Sequence, residues 1–177
     1  MHAKSFINKA LILILFFTMI YIVVQQIYSQ PNTTLTTDPE GVAVNFTLSD
    51  LQGKQHSLID YVENGLIVNF WATSCPPCER EFPVLEKAYQ NYKNQGVEVL
   101  AINVEEPMRI VTPFISEKNS SFPILLDRRG KVSSAYQVLN LPITFFINEN
   151  GEIVEKVSGE LTEVIIRKNI EKMTPSL

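Results

Sequence analysis

The chain's only two cysteines stand three residues apart, in Cys75-Pro76-Pro77-Cys78. At the start of a helix that spacing puts both sulfurs on one face, near enough to share a bond. Pro76 falls near the first helical position, where a missing N–H costs nothing and a fixed φ helps the helix begin. The N-terminal end of a helix carries partial positive charge, which stabilises a thiolate at Cys75. Pro76 and Pro77 have no N–H, so Cys78 supplies the nearest useful donor. A stabilised thiolate is a good nucleophile and a good leaving group in thiol–disulfide exchange. Two other readings compete. A purely structural bridge over three residues closes so small a loop that it stabilises little. A metal site needs more ligands; there is no further Cys, and the histidines are His2 and His56, the latter in a different expected element. The expectation is a redox pair, with no metal and no cofactor.

The surrounding pattern must hold that pair at a strand-to-helix junction. Residues 65–72 form a short apolar run entered through Gly65, as a buried central strand would. Similar runs follow at 97–104, 122–127, 143–147 and 153–157, the last two joined through Asn148-Glu149-Asn150-Gly151 as a hairpin. Between them lie helical stretches. From Pro76 to Tyr92, the apolar positions Phe82, Leu85, Ala88, Tyr89 and Tyr92 recur at spacings of three and four. Met108–Ser116 and Lys131–Val138 are shorter candidates, and Leu161–Met173 closes the chain as an amphipathic helix. This alternation predicts a three-layer α/β domain around a mixed sheet.

A different pattern precedes the domain. Ala10 to Val24 carries no charge, and extending it from Phe6 to Tyr28 reaches the length that crosses a bilayer. Lys4 and Lys9 lie ahead of it, which keeps the N-terminus in the cytoplasm and sends the rest across. No Ala-x-Ala site follows, so an uncleaved signal-anchor over 1–28 is expected rather than a cleaved signal peptide. Residues 29–41, rich in Thr, Pro and Asn, read as a tether, and 42–177 as the domain. Localisation to the cytoplasmic membrane follows, single-pass, with the domain on the extracytoplasmic side.

Composition narrows the function. The 177 residues hold 15 basic and 19 acidic side chains for a net charge of −4, with 45% hydrophobic residues. Both basic residues of 1–30 are Lys4 and Lys9, leaving 13 basic residues and all 19 acids beyond, a net −6. An acidic body lacks the cationic face needed to displace phosphate counterions, so nucleic acid is not an expected partner.

Trp71-Ala72-Thr73-Ser74-Cys75-Pro76-Pro77-Cys78, followed by Glu81-Phe82-Pro83, resembles the active site of the thioredoxin superfamily. More narrowly it is similar to the membrane-anchored ResA/TlpA-type thiol–disulfide oxidoreductases of cytochrome c maturation. Asn69-Phe70-Trp71, Phe122-Pro123-Ile124-Leu125-Leu126-Asp127, Leu141-Pro142-Ile143-Thr144-Phe145-Phe146-Ile147 and Asn150-Gly151 extend the likeness over residues 40–175. The resemblance implies a thioredoxin-like fold with an added N-terminal hairpin, here Val42 to Leu58. It implies that Cys75 attacks and Cys78 resolves. It makes Pro142 a cis-proline that exposes the Leu141 backbone to a substrate strand, although an ordinary turn proline is the alternative. Trp71, Pro76 and Pro77 join Leu141 and Pro142 as expected substrate contacts, and Pro83 would remove the helix bond to the carbonyl of Glu79.

Two departures from generic thioredoxin stand out. Asn69 replaces a buried Asp and cannot relay a proton. Glu81, one turn after Cys78, is the expected tuner of the thiols and mover of protons, against the alternative of a solvated helix acid like Glu79 and Glu86. Pro76 stands where some ResA-like sequences carry an acid. Arg80 and Glu105 are lesser candidates. The implied partners are a disulfide-bearing protein, apocytochrome c, and a membrane thiol reductant of the CcdA type. The rivals within the fold are a general or sporulation-type disulfide reductase and a thiol peroxidase; the non-enzymatic rival is a copper-delivery protein, for which His56 is poorly placed.

Overall fold

The computed structural model describes residues 15–22, 41–61 and 65–174. Contacts divide the chain into two units, Met1–Thr34 and Leu35–Leu177. In the first, residues 15–22 form a helix, α1, with every side chain exposed. Among the described residues no helix is long and apolar enough to cross a membrane. Apart from 15–22 and Gly41, the anchor expected over 1–28 and the tether over 29–41 lie outside the described residues.

The second unit begins with a small antiparallel hairpin, β1 (Thr47–Ser49) and β2 (Gln55–Ser57), in register Leu48 to His56. The main sheet then uses β3 (Gly65–Trp71), β4 (Val97–Val104), β5 (Ile124–Asp127), β6 (Ile143–Ile147) and β7 (Ile153–Ser158), in spatial order β5-β4-β3-β6-β7. β3, β4 and β5 run parallel, while β6 and β7 are antiparallel. All seven residues of β3 are buried. A strand covered on both faces needs apolar side chains at successive positions, which is why residues 65–71 show no alternation.

Its side chains still divide by parity. Ile67 and Trp71 point into one core with Phe82, Leu85 and Ala88 of α2 (Pro76–Tyr92), Val111 of α3 (Met108–Ser116), and Ile166, Ile170 and Met173 of α5 (Glu163–Met173). Leu66, Val68 and Phe70 point into the other, with Val132 of α4 (Lys131–Ala135), Tyr136, and Ala43, Phe46 and Leu58 from the hairpin region. Helices on one face, and a helix plus hairpin on the other, make the three layers of a thioredoxin-like α/β fold with a mixed sheet.

Several boundaries differ from the sequence reading, β3 ending at Trp71 rather than Ala72 and β7 at Ser158 rather than Val157. The helix expected to reach Val138 stops at Ala135, because Gln137 turns left-handed at φ 49°. The closing helix starts at Glu163 rather than Leu161. Thr162 caps it by accepting from Ile165 N, while the Leu161 N–H is used elsewhere. β5 begins at Ile124, since Pro123 has no N–H for a ladder. Of the expected hairpin Val42–Leu58, only 47–49 and 55–57 pair with each other; Val42 bridges to Glu152, and Asp50 to Leu125.

Candidate active site

β3 delivers the chain to Trp71, at the C-terminal end of the parallel strands, where open α/β sheets place their ligands. After a turn, Cys75 caps α2 with extended backbone (φ −105°, ψ 99°), and its Sγ accepts from Cys78 N at 3.3 Å. Pro76 and Pro77 fill the first helical positions. Their missing donors leave the Cys78 N–H to point at sulfur, and this bond together with the helix dipole favours negative charge on Cys75. The two sulfurs are joined, with Cα atoms 5.3 Å apart. Cys75 is half-buried, whereas Cys78 is fully buried. A partner can therefore reach Cys75 and not Cys78.

Glu81 follows Cys78 by three residues, on the same helix face. It has no exposed surface. Its Oε1 accepts from Asn69 Nδ2 at 2.8 Å and its Oε2 from the Leu161 N–H at 3.0 Å. Burial raises its pKa to about 7; the bonds from Leu161 and Asn69 pull the other way, and nearby Glu160 adds to the rise. The solvated-acid alternative describes Glu79 and Glu86 instead: Glu79 pairs with Lys118 at the surface, and Glu86 binds Ser121. Asn69, buried on β3, bridges Glu81 to Thr144 Oγ1 of β6 at 2.9 Å.

The remaining expected residues fall in distinct places. The Leu141–Pro142 bond is cis, Leu141 is half-buried, and Pro142 O accepts from Gly159 N at 2.9 Å. Because Phe70 pairs with Ile143, this turn lies at the Trp71 end of β3, the end that carries Cys75. Pro76 is exposed and Pro77 half-buried. Trp71 corrects the expectation of a substrate contact: it is wholly buried, stacked on Phe114 at 5.4 Å and edge-on to Phe82 at 4.8 Å. A side chain with no exposed surface supports the site from below. Pro83 is exposed within α2, Arg80 pairs with Glu160 at the surface, and Glu105 is exposed at φ 59°.

One part of the site escaped the sequence reading. Glu106 accepts from Thr73 N at 2.8 Å, Thr73 Oγ1 at 2.6 Å and Asn103 Nδ2 at 2.6 Å. It ties the turn before Cys75 to the end of β4. The available signal was position alone, an acid just past the C-terminal end of a central parallel strand. Among the described residues no cluster of His, Cys, Asp and Glu is placed to hold a metal ion.

The AhpC/TSA family matches residues 39–156. Thiol-disulfide oxidoreductase ResA of Geobacillus kaustophilus is 43% identical over 148 residues, covering 81% of this chain and 85% of that one. ResA of Bacillus subtilis is 36% identical over 173 residues, covering 97% and 94%. Among solved structures, StoA from Bacillus subtilis superposes with a TM-score of 0.65 at 27% identity, covering 74% of this chain and 99% of its own. A thiol:disulfide interchange protein of the thioredoxin family from Chlorobium tepidum reaches 0.70 at 21% identity, covering 76% and 96%, a likeness of fold alone. With a reachable Cys75 on a helix tip, a shielded Cys78 behind it and these relatives, the chain belongs to the AhpC/TSA family of thioredoxin-fold proteins, and within it to the ResA-type thiol–disulfide oxidoreductases.

Proposed function

We propose that this oxidoreductase works as a reductant outside the cytoplasmic membrane, held there by residues 1–28, and that its substrate is the Cys-x-x-Cys disulfide of apocytochrome c before haem attachment. The observation that carries the direction of transfer is the buried carboxylate of Glu81, titrating near 7 one turn from Cys78. A carboxylate there opposes the helix dipole and raises thiol pKa values. A less stabilised dithiol gives its electrons up more readily, the opposite of a strongly oxidising centre.

The cycle starts with the Cys75 thiolate attacking one sulfur of the substrate disulfide. A Cys75–substrate bond forms, the substrate S–S bond breaks, and one substrate thiolate leaves. Glu81 takes the proton of the Cys78 thiol. Cys78 attacks the Cys75 sulfur, forms the internal disulfide and releases the second substrate thiolate, which Glu81 reprotonates. Two electrons have passed to the substrate, and a membrane thiol donor of the CcdA type restores the dithiol. The uncharged run beyond Lys9, with basic residues only ahead of it, supports the anchored topology.

The test is trapping on the full-length chain. Cys78→Ala accumulates mixed disulfides with its partners, and Cys75→Ala forms none. Recovery of apocytochromes c among the trapped species supports the substrate assignment. A Cys78→Ala protein with full turnover would refute the resolving role, and trapped partners lacking a Cys-x-x-Cys pair would refute the substrate.

A further inference from the structure

At the β5 edge of the main sheet, β1 and β5 meet at one antiparallel bridge, Asp50 to Leu125. Beyond it they diverge, and a groove of about 650 Å³ opens between residues 44–50 and 126–136. Its floor is apolar, with Phe46, Leu126, Val132 and Tyr136 buried beneath it. Its rim carries Arg128, Arg129 and Lys131, all exposed. Among the described residues none of these three enters an ion pair.

The two carboxylates in the groove wall are already engaged. Asp50 accepts from the N–H groups of Gln52 and Lys54 and pairs with buried His56, while Asp127 accepts from the N–H groups of Lys131 and Ser133. Glu105, beside Gly130, offsets part of the rim charge. A three-cation rim in a chain of net charge −4 is a local reversal of sign.

The backbone adds a second observation. β1 bonds to its hairpin partner through Phe46 O, which accepts from Leu58 N, and through Asp50 N, which donates to Lys54 O. Antiparallel strands send successive residues' backbone groups to opposite sides, so Thr47 presents its N–H and C=O to the groove, while Ser49 flanks the Asp50–Leu125 bridge to β5. A strand edge above an apolar floor accepts an extended peptide, whose alternate side chains fill the floor.

We propose that this groove docks an extended, acidic segment of a partner polypeptide, added as a strand along β1 with its carboxylates on Arg128, Arg129 and Lys131. This docking does not depend on the direction of the thiol chemistry, and the binding measurement that tests it involves no cysteine. A fluorescent peptide of alternating Val and Glu is titrated against the full-length chain and followed by anisotropy. It binds, its Val/Lys counterpart does not, and added salt weakens it. The double substitution Arg128→Glu, Arg129→Glu lowers affinity about tenfold or more, as removing close charge pairs does. The same variant keeps wild-type turnover of a small disulfide, which shows the domain intact. Methylating alternate peptide nitrogens abolishes binding. Equal binding of the Lys peptide, undiminished binding to the double variant, or full binding of the methylated peptide would each overturn the proposal. So would arginine-dependent binding of phosphatidylglycerol vesicles without peptide binding, which would make the groove a lipid site.

Discussion

Glu81 is an acid on a helix whose other acids, Glu79 and Glu86, keep contact with solvent, yet it is buried on two donated hydrogen bonds. The folded protein holds its proton up to about pH 7, whereas an unfolded Glu releases it near 4.5. Between those values the folded state binds more protons, so the Glu81 contribution to stability falls as pH rises through the window. Urea unfolding of the oxidised protein should register a decline of about 3 kcal/mol across it, and Glu81→Gln should flatten that decline. The variant should also lose the limb near pH 7 in the pH–rate profile of disulfide reduction, slowing exchange by roughly ten- to a hundredfold at neutral pH. An unchanged pH dependence in both measurements would leave Glu81 a purely structural acid.

At the scale of elements, the hairpin is fastened by polar side chains inside an apolar frame. His56, buried on β2, contacts Asp50 Oδ2 at 2.9 Å through Nε2 and Tyr61 Oη at 2.6 Å through Nδ1. Burial pushes the Asp50 carboxyl up, but the bonds from His56, Lys54 and Gln52 outweigh it and leave its pKa below the ordinary value. That depression stabilises the fold above the ordinary carboxylate range and is lost as pH falls through it. Tyr136 secures the same region by donating to Val44 O at 2.8 Å. Asp50→Ala orphans two backbone donors and a buried imidazole, for an expected cost of about 2–3 kcal/mol. Hydrogen exchange should rise across residues 47–57, while Cys75–Cys78 cycles as before. Uniform loosening of the whole sheet would show instead that the hairpin is not a separate element.

For the whole molecule, the issue is where the domain works. The proposed anchor predicts that the full-length chain sediments with membranes and that a chain starting at residue 41 does not. It also predicts that, in intact cells, Cys75 of a Cys78→Ala chain reacts with a membrane-impermeant thiol reagent. Labelling that requires lysis would reverse the topology. Docking at the groove and exchange at Cys75 would then take place on one body held beside the membrane, with the basic rim at the β5 edge of the sheet and the sulfur pair at the start of α2.

Local information sufficed for the strand from Gly65, read one residue too long at Ala72, the helix from Pro76 and the redox meaning of Cys75 and Cys78, because strand burial, helix initiation and sulfur spacing are properties of neighbouring residues. The helix ends were less legible, since Gln137 stops α4 through a left-handed backbone that its residue type does not announce. The burial of Glu81 depends on Asn69, twelve residues away, and on Leu161, eighty residues away. Glu106 reaches Thr73 across thirty-three residues. Trp71 falls in the run read as a buried strand, and it is the packing of Phe82 and Phe114 against it that leaves it no surface for the substrate contact the resemblance implies. A side chain's charge, exposure and partners belong to whatever segments pack against it, and the pairing of β3 with β4 and β6 brings those segments together.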